Sequence, residues 1–166
     1  MARDDNRGPR GRGGGRSGGP DRQRREPPVM PDPQAVHYFT PDGRVRPELL
    51  DGEAEAAARG LAEARLKTTQ LRRYYDDVLN LRERLREEAR RAGDDREAAF
   101  QTLLADFKML KAKAAYAHGR SDKTFPRQFL QFFVDHVAAV RTASDFEAFC
   151  KHFEAVIAFH KFYGED

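Results

Sequence analysis

At 166 residues, with 34% charged side chains, a mean hydropathy of −0.81 and a single cysteine, the chain is one domain in size and too polar on average to fold throughout. The lone Cys150 excludes an intrachain disulfide and a cysteine-built zinc site, and no apolar run suits a membrane span or a signal-peptide core. A cytoplasmic protein with no membrane partner is the expectation.

The net charge of +3 is the sum of unequal blocks. Residues 1–28 carry +4, residues 29–65 carry −3, residues 66–123 carry +4 and residues 124–166 carry −2. An anionic partner is expected to meet the basic blocks.

Residues 1–33 are predicted as a disordered Arg/Gly-rich tail with a proline-rich connector, and residues 34–166 as a helical domain. The tail offers almost no apolar surface to offset the entropy of ordering it. A Gly-rich coil of its length reaches on the order of 30 Å. Its arginines suit a nucleic-acid backbone or unstacked bases. Asp4, Asp5, Asp21 and Glu26 dilute that charge, so a solubilising extension is an equal reading. Pro27, Pro28, Pro31 and Pro33 predict an extended connector. Val36–Phe39 then reads as an irregular docking arm, and Pro41-Asp42-Gly43 as a turn.

Five helices are predicted next. The first starts at Pro47 and runs through Leu61, with Gly52 and Gly60 interrupting a weak apolar face. The second opens with Thr68 as N-cap and runs to about Arg91. Leu71, Tyr74, Val78, Leu81 and Leu85 form its stripe, and Gly93 stops it. The third begins with an Asp94-x-x-Glu97 box and carries Phe100, Leu103, Leu104, Phe107, Leu110 and Ala114 to Gly119. The fourth covers about Pro126 to Val140. The fifth opens with a Ser144-x-x-Glu147 box and buries Phe146, Phe149, Cys150, Phe153, Val156, Ile157 and His160. No segment alternates apolar and polar residues convincingly. The fold class is therefore all-α: a compact antiparallel bundle of about five helices.

Catalytic chemistry is not legible. The five histidines lack a metal-binding i,i+4 pair and are read as core or rim residues. Asp76-Asp77, Glu87-Glu88 and Asp94-Asp95 sit among arginines as on a solvated helix face. Cys150 lies on an apolar stripe and is expected to be an inert buried thiol. No phosphate-binding loop, nucleophile elbow or dinucleotide fingerprint is present. No enzyme, metal or cofactor is expected.

Two segments carry more information: Leu66-Lys67-Thr68-Thr69-Gln70-Leu71-Arg72-Arg73-Tyr74-Tyr75, continuing through Asp76-Asp77-Val78, and Met109-Leu110-Lys111-Ala112-Lys113-Ala114-Ala115-Tyr116-Ala117-His118-Gly119-Arg120. Both resemble hallmark stretches of the small subunit of type III-A (Csm) CRISPR–Cas effector complexes. Gln70, Arg72 and Tyr75 match the first stretch; Lys113, Tyr116, Gly119 and Arg120 match the second. The likeness extends loosely over residues 46–163 and leaves out the tail.

The resemblance implies a non-catalytic subunit of an antiviral ribonucleoprotein. Copies stack into a minor filament along guide RNA and target RNA, beside other subunits that perform the cleavage. Backbone contact suits that role, because an A-form duplex presents phosphates and 2′-hydroxyls but little readable base edge. The candidate RNA-binding residues are Arg72, Arg73, Lys108, Lys111, Lys113 and Arg120, followed by Lys67 and Lys123. For any one of them a plain solvated cation is the competing reading. Tyr74 and Tyr116 are expected in the core; Tyr75 suits either role. The alternatives are the small subunit of a type III-B complex and a helical protein–protein adaptor without RNA contact.

Overall fold

The computed structural model describes residues 28–164, and the tail expected to be disordered lies largely outside the described residues. Six helices follow one another: α1 (Pro47–Leu50), α2 (Gly52–Glu63), α3 (Thr68–Arg91), α4 (Arg96–Arg120), α5 (Arg127–Ala139) and α6 (Ala143–Tyr163). Among the described residues the only β-type pairing is an isolated bridge between Phe39 and Val45. The all-α expectation holds. The first predicted helix is split into α1 and α2, because Asp51 leaves helical geometry at φ −118° and ψ −102°.

Cross-helix contacts give the direction of each element. Tyr74 meets Lys113 and Arg84 meets Asp106, so α3 and α4 form an antiparallel hairpin. Thr68 meets His160, Tyr75 meets Phe153 and Arg82 meets Glu147, so α3 also runs against α6. Phe132 packs on Phe153 and His136 on Phe149, which sets α5 against α6 as well. The exception is α2. Glu55 and Arg59 reach Tyr163 at the far end of α6, while Leu49 before them reaches His152, so α2 runs parallel to α6.

The core is aromatic. Phe100, Phe107, Phe129, Phe133, Phe146, Phe149 and Phe153 are each at most 1% exposed, and ring contacts join them across α4, α5 and α6. Full burial of each such side chain contributes about 2–3 kcal/mol. Three histidines share this interior. His136 and His152 lie 4.9 Å apart by ring centroid; Tyr38 Oη is 2.8 Å from His136 Nδ1, and His152 Nδ1 donates to Leu49 O at 2.6 Å. Tyr38 thus ties the docking arm to the bundle.

All three predicted caps are displaced by a residue or two, each for a tertiary reason. Lys67 occupies the N-cap of α3, and Thr68 turns its hydroxyl inward, 3.1 Å from His160 Nδ1. Gln70 Oε1 accepts from the Lys67 N–H instead. At α4, Gly93 and Asp94 are both left-handed (φ 68° each), so Asp95 caps by accepting from Ala98 N at 2.9 Å. Glu97 then accepts from Ala143 N at the start of α6 (2.8 Å). At α6 the box is Thr142–Asp145, which leaves Glu147 to pair with Arg82 and Arg96.

Candidate nucleic-acid interface

The start of α3, the end of α4 and the start of α5 meet at one end of the bundle. His118 Nδ1 donates to Phe125 O at 2.7 Å, and the Tyr74 ring lies 6.3 Å from Phe125 and 4.7 Å from Phe129. The end of α6 is there too, through Thr68 and His160. Among the described residues this gathers Arg59, Arg65, Lys67, Arg72, Arg73, Arg120, Lys123, Arg127 and Lys161 against Glu55, Glu63, Asp76, Asp77 and Asp122. Residues 83–97 and 135–147 build the opposite end and hold more acidic than basic side chains. Among the described residues the bundle is therefore electrically polarised along its length. Lys67, Arg72, Arg73, Arg120, Lys123 and Arg127 are all exposed.

The candidate cations on α4 divide between two flanks. Lys108 and Lys111 lie on the flank towards the acidic end, where they line a groove of about 330 Å³ with Leu104, Val137, Val140 and Arg141. Their three-residue spacing keeps them on one side of the helix. Lys113 faces α3 instead, its Nζ 2.9 Å from Asp77 Oδ2, and that pairing lessens its pull on another anion. Nine residues separate Lys111 from Arg120, an axial rise of about 13 Å. Of the eight candidate cations, Lys67, Arg72, Arg73, Arg120 and Lys123 come together at the end, Lys108 and Lys111 at the side, and Lys113 stands apart.

Arg127 and Arg141 join these surfaces without having been singled out in the sequence. Both belong to a block of net charge −2, so a block average hid them. Tyr116 is the clear correction: it is not core but 72% exposed. The buried positions of α4 are Phe100, Leu103, Phe107, Leu110, Ala114 and Ala117, and Tyr116 is off that stripe. Its place one turn before Arg120 puts an exposed ring beside the basic end. Tyr74 is half-buried, and burial followed by the Asp77 charge pushes its phenol up. Tyr75 packs edge-on against Phe153 at 5.5 Å. Among the motif residues, then, Gln70 and Tyr75 serve the fold, whereas Arg72, Tyr116 and Arg120 face outward.

Cys150 and three of the five histidines, His136, His152 and His160, are interior groups. Burial, with the Glu147 charge second, pushes the Cys150 thiol up to about 12, so it stays protonated at neutral pH. Burial lowers His136, His152 and His160 below the ordinary imidazole value. No cluster of three or more His, Cys, Asp or Glu suited to a metal ion occurs among the described residues. Nor is any described helix long and apolar enough to cross a membrane.

Residues 44–166 match the family model described as Csm2 Type III-A, a span that takes in all six helices and both basic surfaces. No curated protein matches the chain, and no solved structure does. The match favours the type III-A reading over the type III-B alternative. With both hallmark stretches on a helical bundle and the family's match across most of its length, the chain belongs to the Csm2 Type III-A family, the small subunit of type III-A CRISPR–Cas effector complexes.

Proposed function

We propose that this chain is a non-catalytic small subunit that lies along the guide RNA and the target RNA paired to it, with copies of itself stacked as a minor filament in the cytoplasm. The observation that carries the RNA reading is the charge polarity of the bundle. Exposed Lys67, Arg72, Arg73, Arg120 and Lys123 share one end, where basic side chains outnumber acidic ones among the described residues. Cations on a rigid helical end meet phosphates without reading sequence, which base pairing between guide and target already does. Lys108 and Lys111 extend the track along the flank of α4, and Lys113, held by Asp77, adds little. Leu79 and Met109 are exposed apolar side chains on α3 and α4, available to other subunits or to a second copy.

The test is binding of target RNA to the assembled complex over a range of salt. Arg72→Ala combined with Lys111→Ala is expected to weaken binding about tenfold and to lower the salt slope by about 1.5, one phosphate contact being worth slightly under one unit. Native mass spectrometry of the same complex should show more than one copy of the subunit. Unchanged affinity and unchanged slope in the double variant would overturn the RNA assignment.

A further inference from the structure

Ion pairs take up many of the cations on this bundle: Arg84 meets Asp106, Arg91 meets Glu88, Arg82 and Arg96 share Glu147, and Lys113 meets Asp77. Lys108, Lys111 and Arg141 are not so used. Among the described residues none of the three has a carboxylate within ion-pair distance. All three are exposed, and they line one groove of about 330 Å³ walled by Leu104, Val137 and Val140. No acidic side chain lines it.

They stay unpaired although the groove lies towards the acidic end, and the reason is local. Asp145 Oδ2 accepts from the Arg141 and Thr142 amides at 3.0 Å each. Glu97 accepts from Gln101 Nε2 at 2.7 Å and from Ala143 N at 2.8 Å. The carboxylates beside Arg141 are thus held by amides. The same bonds fix the connection between α5 and α6, where Gln101 Nε2 also reaches Arg141 O at 3.4 Å. Arg141 is anchored through its main chain, and its guanidinium is left for another anion.

Charges of one sign around a groove with apolar walls focus their field on whatever enters it. A guanidinium fork meets two oxygens of one phosphate, and ammonium groups meet the same anion from other directions.

We propose that Lys108, Lys111 and Arg141 form a backbone-phosphate site for the RNA duplex, built from α4 and the α5–α6 connection and separate from the basic end. This rests on the RNA reading given above and deepens it. Arg141 is the forked ligand, and the two lysines complete the shell. Nine residues of α4, about 13 Å, separate Lys111 from Arg120. Phosphates held at both places fix the direction in which the subunit lies along the duplex. A single basic end would leave it free to swivel.

The experiment titrates the full chain with a guide–target RNA duplex across salt. Arg141→Ala is expected to weaken binding about fivefold and to lower the salt slope by about 0.9, the value of one phosphate contact on a duplex. Arg141→Lys should keep the slope and lose part of the affinity, since lysine retains the charge without the fork. Both variants should melt with the parent chain, because the structural bonds of Arg141 are made by its backbone. Acetylation of amines reads the site directly. RNA should slow modification of Lys108 and Lys111 but not of Lys151 on α6, and Arg141→Ala should weaken that protection.

An unchanged slope in Arg141→Ala, beside a lowered slope in Arg72→Ala with Arg73→Ala, would overturn the groove site and leave the RNA reading standing. A slope that neither variant moves would remove both. A slope lowered by Arg141→Ala with no protection of the two lysines would also refute a shared site. Equal protection by poly-glutamate would reassign the groove to an acidic protein surface.

Discussion

At the scale of single residues, burial sets the protonation of the core histidines. His136, His152 and His160 are 5%, 4% and 0% exposed, and burial lowers all three below the ordinary imidazole value of 6.5. His136 and His152 also face each other, with Tyr38 and the Leu49 carbonyl as their polar partners. A neutral buried imidazole binds fewer protons than the same group in the unfolded chain, so stability must fall as pH drops. The contribution is complete above the ordinary value of 6.5 and is lost as pH falls through the lowered folded values. Urea midpoints should therefore be nearly level above neutrality and decline towards about pH 5; a level midpoint throughout would contradict the buried-neutral assignment. Cys150 gives a second reading of the same interior. Its thiol, pushed up to about 12, should resist alkylation in the native chain at mildly alkaline pH and react promptly in denaturant.

Helix ends separate what local sequence can say from what it cannot. The stripe Leu71, Val78, Leu81 and Leu85 is legible because its spacing is a property of one helix, and these positions are buried in α3. Caps are less legible. Asp94 and Asp95 are adjacent, as are Thr142 and Ser144 nearly so, and local rules rate both members of each pair as good caps. The choice fell to packing: Glu97 was drawn to the Ala143 amide and Glu147 to Arg82 and Arg96. Glycines obey the same division. Gly93 has φ 68°, so Gly93→Ala should cost about 1–2 kcal/mol through backbone strain alone, with no neighbour to clash. Gly119 is helical with open space around it, so Gly119→Ala should stabilise the free chain by about 0.5–1 kcal/mol. Thermal melts of the two variants should move in opposite directions.

At the scale of the whole bundle, the proposed RNA contact depends on the separation of charge between its two described ends. Arg90 and Arg91 lie on α3 as Arg72 and Arg73 do, but at the other end, where Arg91 pairs with Glu88 at 2.6 Å. Arg90→Ala with Arg91→Ala is therefore expected to change RNA affinity by less than about twofold, against about tenfold for Arg72→Ala with Arg73→Ala. Equal effects at the two ends would show that net charge, and not its placement, governs binding. The amino-acid sequence by itself determined the helical class, the buried stripes, the buried cysteine and the two stretches that betray the family. All of these depend on residues three or four apart, or on order along the chain. Only the tertiary structure decided that Arg127 and Arg141 join the candidate surfaces, that Lys113 is held by Asp77 and that Tyr116 faces solvent. A surface potential is a sum over side chains from different helices, so it exists only once packing has brought those helix ends together.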